Sequence, residues 1–134
     1  MKSKEREVVN QLNKRFNASL TLCKNDFSYY DAYNEKIILE IKIRNKVYKS
    51  KLIQVDKFYS LLMISEAQNK IPFYLVKDDK GVYLYNLKEL KEQLFNSKIK
   101  SIKAPYQTEF SKNKVISKYF YELKESQIHN FYIL

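Results

Sequence analysis

A chain of 134 residues is long enough for one buried core and too short for two ordinary domains, so residues 1–134 are read as a single domain. With 45% hydrophobic and 30% charged residues and no low-complexity tract, the chain is expected to fold; its one glycine excludes glycine-rich phosphate loops, and a single cysteine and a single histidine leave a disulfide, a Cys/His zinc site and a Ser-His or Cys-His hydrolase without support. The formal net charge of +10, from 25 Lys plus Arg against 15 Asp plus Glu, points to a polyanionic partner, nucleic acid first among them.

Met1 to Glu7 lacks the apolar core of a signal peptide, and no run approaches the roughly 20 apolar residues of a membrane span. A cytosolic protein without a membrane partner is therefore expected. Its richness in Lys, Asn, Ile and Tyr suggests an AT-rich genome, bacterial or viral.

Val8, Val9, Leu12 and Phe16 fall at helical spacing and predict a first helix from Lys4 to Phe16. Ser19 to Cys23 and the aromatic run Phe27 to Tyr33 read as strands, with Asn34-Glu35 as a hairpin turn. From Leu39 to Arg44 the residues alternate, placing Leu39, Ile41 and Ile43 on one face and Glu40, Lys42 and Arg44 on the other. Leu52 to Gln68 has the length and apolar spacing of a helix. Ile71 to Val76 and Val82 to Leu87 read as a hairpin around a turn in which Gly81 supplies a positive φ. Leu87 to Phe95 reads as a helix, the lysine-bearing stretch to Pro105 as a connection, and Val115 to Leu123 as a last strand. This order is expected to give an α/β fold, a mixed central sheet flanked by helices. Cys23 reads as a small buried hydrophobe and His129 as incidental, while Tyr29, Tyr30 and Tyr33 read as sheet packing.

Hydrolysing a phosphodiester needs a hard divalent cation, and such cations are held by carboxylate oxygens. Asp31 near the end of one expected strand and Glu40 on the next would converge across a hairpin, with Lys42 on the same face as Glu40. The E-x-K pattern occurs three times, at Glu40/Lys42, Glu89/Lys91 and Glu122/Lys124. On a helix, residues two apart diverge by about 200°, which removes Glu89/Lys91. No aspartate follows Asp79, which leaves Glu122/Lys124 without an aspartate to complete the set. Arg44, Lys46, Lys49 and Lys51 make a basic run beside Glu40 and Lys42 that would meet successive phosphates. The plain alternative is an amphipathic strand with a solvated charged face, and for the basic run a solvated loop.

Asp31 and Glu40-Ile41-Lys42, behind a helix bearing Glu7, resemble the PD-(D/E)XK nuclease superfamily, most of all phage endonuclease I and the Holliday-junction resolvases; Tyr30 stands where that pattern has proline. The resemblance implies a restriction-endonuclease-like core over residues 4 to 87. It implies Mg²⁺, with Mn²⁺ as a substitute, bound by Asp31, Glu40 and the carbonyl of Ile41. Lys42 would activate water, Glu7 would assist from the helix with Glu5 as its competitor, and Gln54 and Lys57 would face the same site on the nucleic acid. The implied activity is a Mg²⁺-dependent DNA endonuclease for branched DNA, working as a homodimer in a bacterial cell or a phage-infected host. Two other classes remain open: a non-catalytic basic nucleic-acid-binding protein, and an interaction module of a mobile element.

Overall fold

The computed structural model describes residues 3–25, 28–47, 49–105 and 115–133. Helix α1 (Ser3–Phe16) buries Val8, Val9 and Leu12 of the stripe that its spacing predicts, while Phe16 at its end is exposed. Strands β1 (Thr21–Leu22) and β2 (Ala32–Tyr33) are shorter than expected; the expected start of the second at Phe27 lies outside the described residues. Asn34 shapes the turn into β3 (Ile37–Ile43), its side-chain oxygen accepting from the N–H groups of Lys36 and Ile37 at 2.8 Å each.

The helix expected from Leu52 begins only at Val55. Residues Lys51–Gln54 form β4 instead, because their backbone pairs antiparallel with β8 (Val115–Leu123). Helix α2 (Val55–Gln68) ends where Asn69 takes the left-handed conformation at φ 55°. Strands β5 (Ile71–Lys77) and β6 (Val82–Asn86) make the expected hairpin, and Asn86 then caps α3 (Leu87–Phe95) by accepting from Lys88 and Glu89 N–H. The stretch expected to be a connection is β7 (Ile99–Pro105), an antiparallel partner of β8. A 3-10 turn (Glu125–Gln127) and β9 (Asn130–Tyr132) complete the chain.

Gly81 serves a purpose other than the expected one, since no glycine has positive φ. A Cβ there would lie 2.6 Å from the carbonyl oxygen of Tyr132 and 2.8 Å from the ring of Phe131. Only hydrogen fits between the β5–β6 turn and β9.

Two sheets result. The central one has the order β1-β2-β3-β5-β6-β9, with β3 and β5 parallel and every other pair antiparallel. The second has the order β4-β8-β7. Alternation along β3 divides the core: Leu39 and Ile41 pack with α1, whereas Ile38 packs with Phe58 and Leu61 of α2, Leu90 of α3, and Ile53 and Tyr121 of the second sheet. Burial of each such side chain contributes about 2 kcal/mol. Glu40 and Lys42 share the Ile38 side of β3, so they face α2 and the second sheet. Among the described residues no helix is long and apolar enough to cross a membrane.

Candidate active site

Glu40 sits in the middle of the central sheet, in register with Tyr74 of β5. On the other edge of β3, Ala32 lies opposite Leu39, and continuing that register sets Asp31 opposite Glu40. Asp31 is locked there three ways. Its N–H donates to the Leu39 carbonyl at 2.9 Å, its carbonyl accepts from Cys23 N–H at 2.8 Å, and its Oδ2 accepts from Ile41 N–H at 2.7 Å. The carboxylate thus replaces a backbone acceptor just before β2 begins, which fixes it beside β3.

Two carboxylates facing each other in a partly dry place repel. Burial first, and then the charge of Asp31, push the Glu40 carboxyl up to about 7, against the pull of Lys57 and Lys42. Lys57 Nζ lies 3.5 Å from Glu40 Oε2. Lys42 follows on the same face; its ammonium is held below the usual lysine range by desolvation and then by Arg44, with Lys57 and Lys118 adding to the repulsion and Glu40 opposing it. Desolvation likewise lifts the Tyr74 phenol, whose hydroxyl donates to the Leu52 carbonyl at 3.0 Å.

These groups open onto a cleft of about 280 Å³. From β3 it receives Glu40, Lys42 and Arg44; from β4, Leu52 and Gln54; from α2, Lys57; from β5, Tyr74. Lys118 and Phe120 of β8 complete its wall. Asp31 is not a wall residue and reaches Glu40 from the β2 side. Lys46 and Lys49 are exposed in the β3–β4 connection and do not line the cleft.

Lys51 and Glu7, also expected at the site, are placed elsewhere too. Lys51 turns inward: its Nζ lies 2.9 Å from Asp78 Oδ2 and 4.4 Å from the centre of the Tyr83 ring, and only 10% of its side chain is exposed. This burial withholds the ammonium from phosphate. Glu7 is exposed on α1, beside Arg6, Asn10 and Lys14, and α1 packs on the opposite face of β3 from Glu40. Glu5, one turn before Val8 and Val9, is half-buried on the packed side of that helix. Lys118 and Phe120 were not singled out in the sequence, although their alternation in the expected last strand was a signal that they share a face.

Among the described residues no group of three or more His, Cys, Asp or Glu side chains could hold a metal ion. The carboxylates that come together here are Asp31 and Glu40, and the Ile41 carbonyl lies on the same strand as Glu40. Two carboxylates suit Mg²⁺, which keeps several of its waters, and their mutual repulsion is what a cation relieves. The residues present fit the ion.

No family model and no curated protein matches the sequence. By structure the chain is similar to Hjc, a Holliday junction resolvase from the archaeal hyperthermophile Archaeoglobus fulgidus. The match covers 97% of this chain and 90% of that one, at a TM-score of 0.53 and 14% identity. The fold is resolvase-like. The mixed sheet flanked by helices, expected from the sequence, is thereby borne out. At 14% identity the likeness to Hjc carries the fold alone.

Proposed function

We propose that the protein is a metal-dependent endonuclease of the PD-(D/E)XK kind that hydrolyses phosphodiester bonds in branched DNA. The observation that carries this reading is the meeting of Asp31 and Glu40 across two strands, with Lys42 beside them in a cleft lined by four cationic side chains. The resolvase-like fold supports the branched substrate.

Asp31, Glu40 and the Ile41 carbonyl would hold Mg²⁺, or Mn²⁺ in its place. When bound, the ion supplies charge neutralisation at the phosphate and a water acidic enough to give hydroxide near neutral pH. Arg44 draws the phosphate into the cleft, and Gln54 flanks it. Lys42, two residues along the same face from Glu40, orients the attacking water and steadies charge on the phosphate as the P–O bond breaks. A four-way junction offers two equivalent bonds while one chain brings one such cleft, so the working form is a homodimer.

The ion pair between Lys57 and Glu40 favours one rival: a non-catalytic nucleic-acid-binding protein in which lysine permanently occupies the place of the cation. One experiment separates the two. Labelled four-way junction, duplex and single-stranded DNA are incubated with the protein in Mg²⁺, Mn²⁺ or EDTA. The nuclease reading expects cleavage of the junction only with metal, and a loss of about 100-fold or more in Glu40→Gln and Lys42→Ala. DNA binding without cleavage in either metal, or full activity in Lys42→Ala, overturns it.

A further inference from the structure

The cleft has a second wall that the Glu40 strand does not supply. In the β4-β8-β7 sheet, Gln54 lies opposite Phe120, Phe120 opposite Lys100, and Lys118 opposite Ile102. Residues opposed across strands share a face, so these five lie together. The alternate residues Ile53, Tyr121 and Leu123 occupy the other face and are buried in the core. The Phe120 face thus looks away from the core, and its Gln54, Phe120 and Lys118 line the same cleft as Glu40 and Lys42.

Phe120 is out of place for a packing residue. Phe58, Tyr59, Phe95 and Tyr121 pack ring against ring under the sheet, whereas among the described residues Phe120 meets no other ring. It is half-exposed in a cleft that four cations line. Lys118 makes no ion pair among the described residues, and its charge reaches Lys42. An aromatic face beside an uncommitted ammonium matches the two faces of a nucleotide, a flat base and an anionic phosphate.

We infer that the outer face of the three-stranded sheet receives an unstacked nucleotide next to the bond to be cut, with Lys118 on its phosphate and Phe120 stacked on its base. The position of that bond rests on the nuclease reading; the binding surface does not. In continuous duplex the base faces are covered by their neighbours, so Phe120 finds a partner only where a branch or fray exposes one. Lys118 contacts a phosphate in either case. The sheet thereby separates affinity, carried by the lysine, from preference for branched over linear DNA, carried by the ring.

The test is equilibrium binding in EDTA, by fluorescence anisotropy, of a four-way junction and a linear duplex to the wild type, Phe120→Leu, Phe120→Tyr and Lys118→Ala. Phe120→Leu is expected to weaken junction binding about tenfold with less than about a twofold change on duplex, while Phe120→Tyr stays close to wild type. Lys118→Ala is expected to weaken both alike and to lower the salt slope by about 0.9. Both side chains are half-exposed, and equal melting temperatures check that the variants fold. Wild-type protein that binds neither DNA overturns the nucleic-acid reading and this inference together. Wild type that binds and cuts, with Phe120→Leu unchanged or weakened equally on both substrates, overturns this inference alone.

Discussion

Glu40 carries a cost to folding. An ordinary glutamate ionises near 4.5, and burial followed by the charge of Asp31 raises Glu40 to about 7. Below about pH 4.5 the group is neutral in both folded and unfolded chains and costs nothing. Between about 4.5 and 7 the folded chain keeps a proton that the unfolded chain has lost, and above 7 the full penalty, on the order of 3 kcal/mol, has set in. Glu40→Gln in EDTA should therefore raise the melting temperature by several degrees at pH 8 and leave it unchanged at pH 4. A melting scan at both pH values checks this, and equal shifts at both would contradict it. Lys57 already offsets part of the penalty, and it does so at the place a cation would occupy. Lys57→Met is accordingly expected to bind Mn²⁺ about fivefold tighter in calorimetric titration; weaker binding would mean that the lysine organises the carboxylates instead.

The elements show which forces can be read along a chain and which cannot. The alternation from Leu39 to Ile43 was legible because one face of β3 is buried under α1, and this is why Glu40 and Lys42 could be placed on a common face. The Asp31–Glu40 meeting followed from short-range hairpin geometry. β4 was not legible: Leu52 and Ile53 run straight into α2 with no turn residue between them, and only pairing with β8, far along the chain, makes them a strand. β7 hid for a similar reason, as its lysines give no alternation. Lys118 and Phe120 shared a readable face, but nothing local says that it meets the cleft. Lys51 shows the same limit, since its partner Asp78 comes from a distant turn.

That pair ties the β5–β6 turn to the second sheet. Burial would raise the Asp78 carboxyl, yet the Lys51 ammonium and the N–H groups of Lys80 and Gly81 together hold it below the usual aspartate range. The resulting stabilisation is present in full above about pH 4 and fades as pH falls through the lowered folded value. Lys51→Met strands the carboxylate and should cost about 3 kcal/mol at pH 7, with a smaller loss near pH 3, measured by denaturant unfolding. A loss that does not depend on pH would point to lost packing of the lysine stem against Tyr83 instead.

At the scale of the whole molecule, the net charge of +10 favours a polyanionic partner, and on the nuclease reading the cleft would decide where it is held. Lys42, Arg44 and Lys118 line it without the direct carboxylate contact that engages Lys57. Three phosphate contacts predict that log Kd rises with log salt at a slope of about 3 between roughly 50 and 200 mM; a slope near that of a dispersed basic surface, with no change in Arg44→Ala, would deny the cleft this part.

Gln54 closes β4 and Val55 opens α2 with nothing between them, and the Tyr74 hydroxyl clasps the joint through the Leu52 carbonyl. The strand that forms one side of the cleft and the helix that brings Lys57 to it are in effect one bent rod, riveted to the central sheet. On the nuclease reading, a mouth so joined leaves the deformation to the substrate, and that would cost least where the nucleic acid is already bent or opened at a branch.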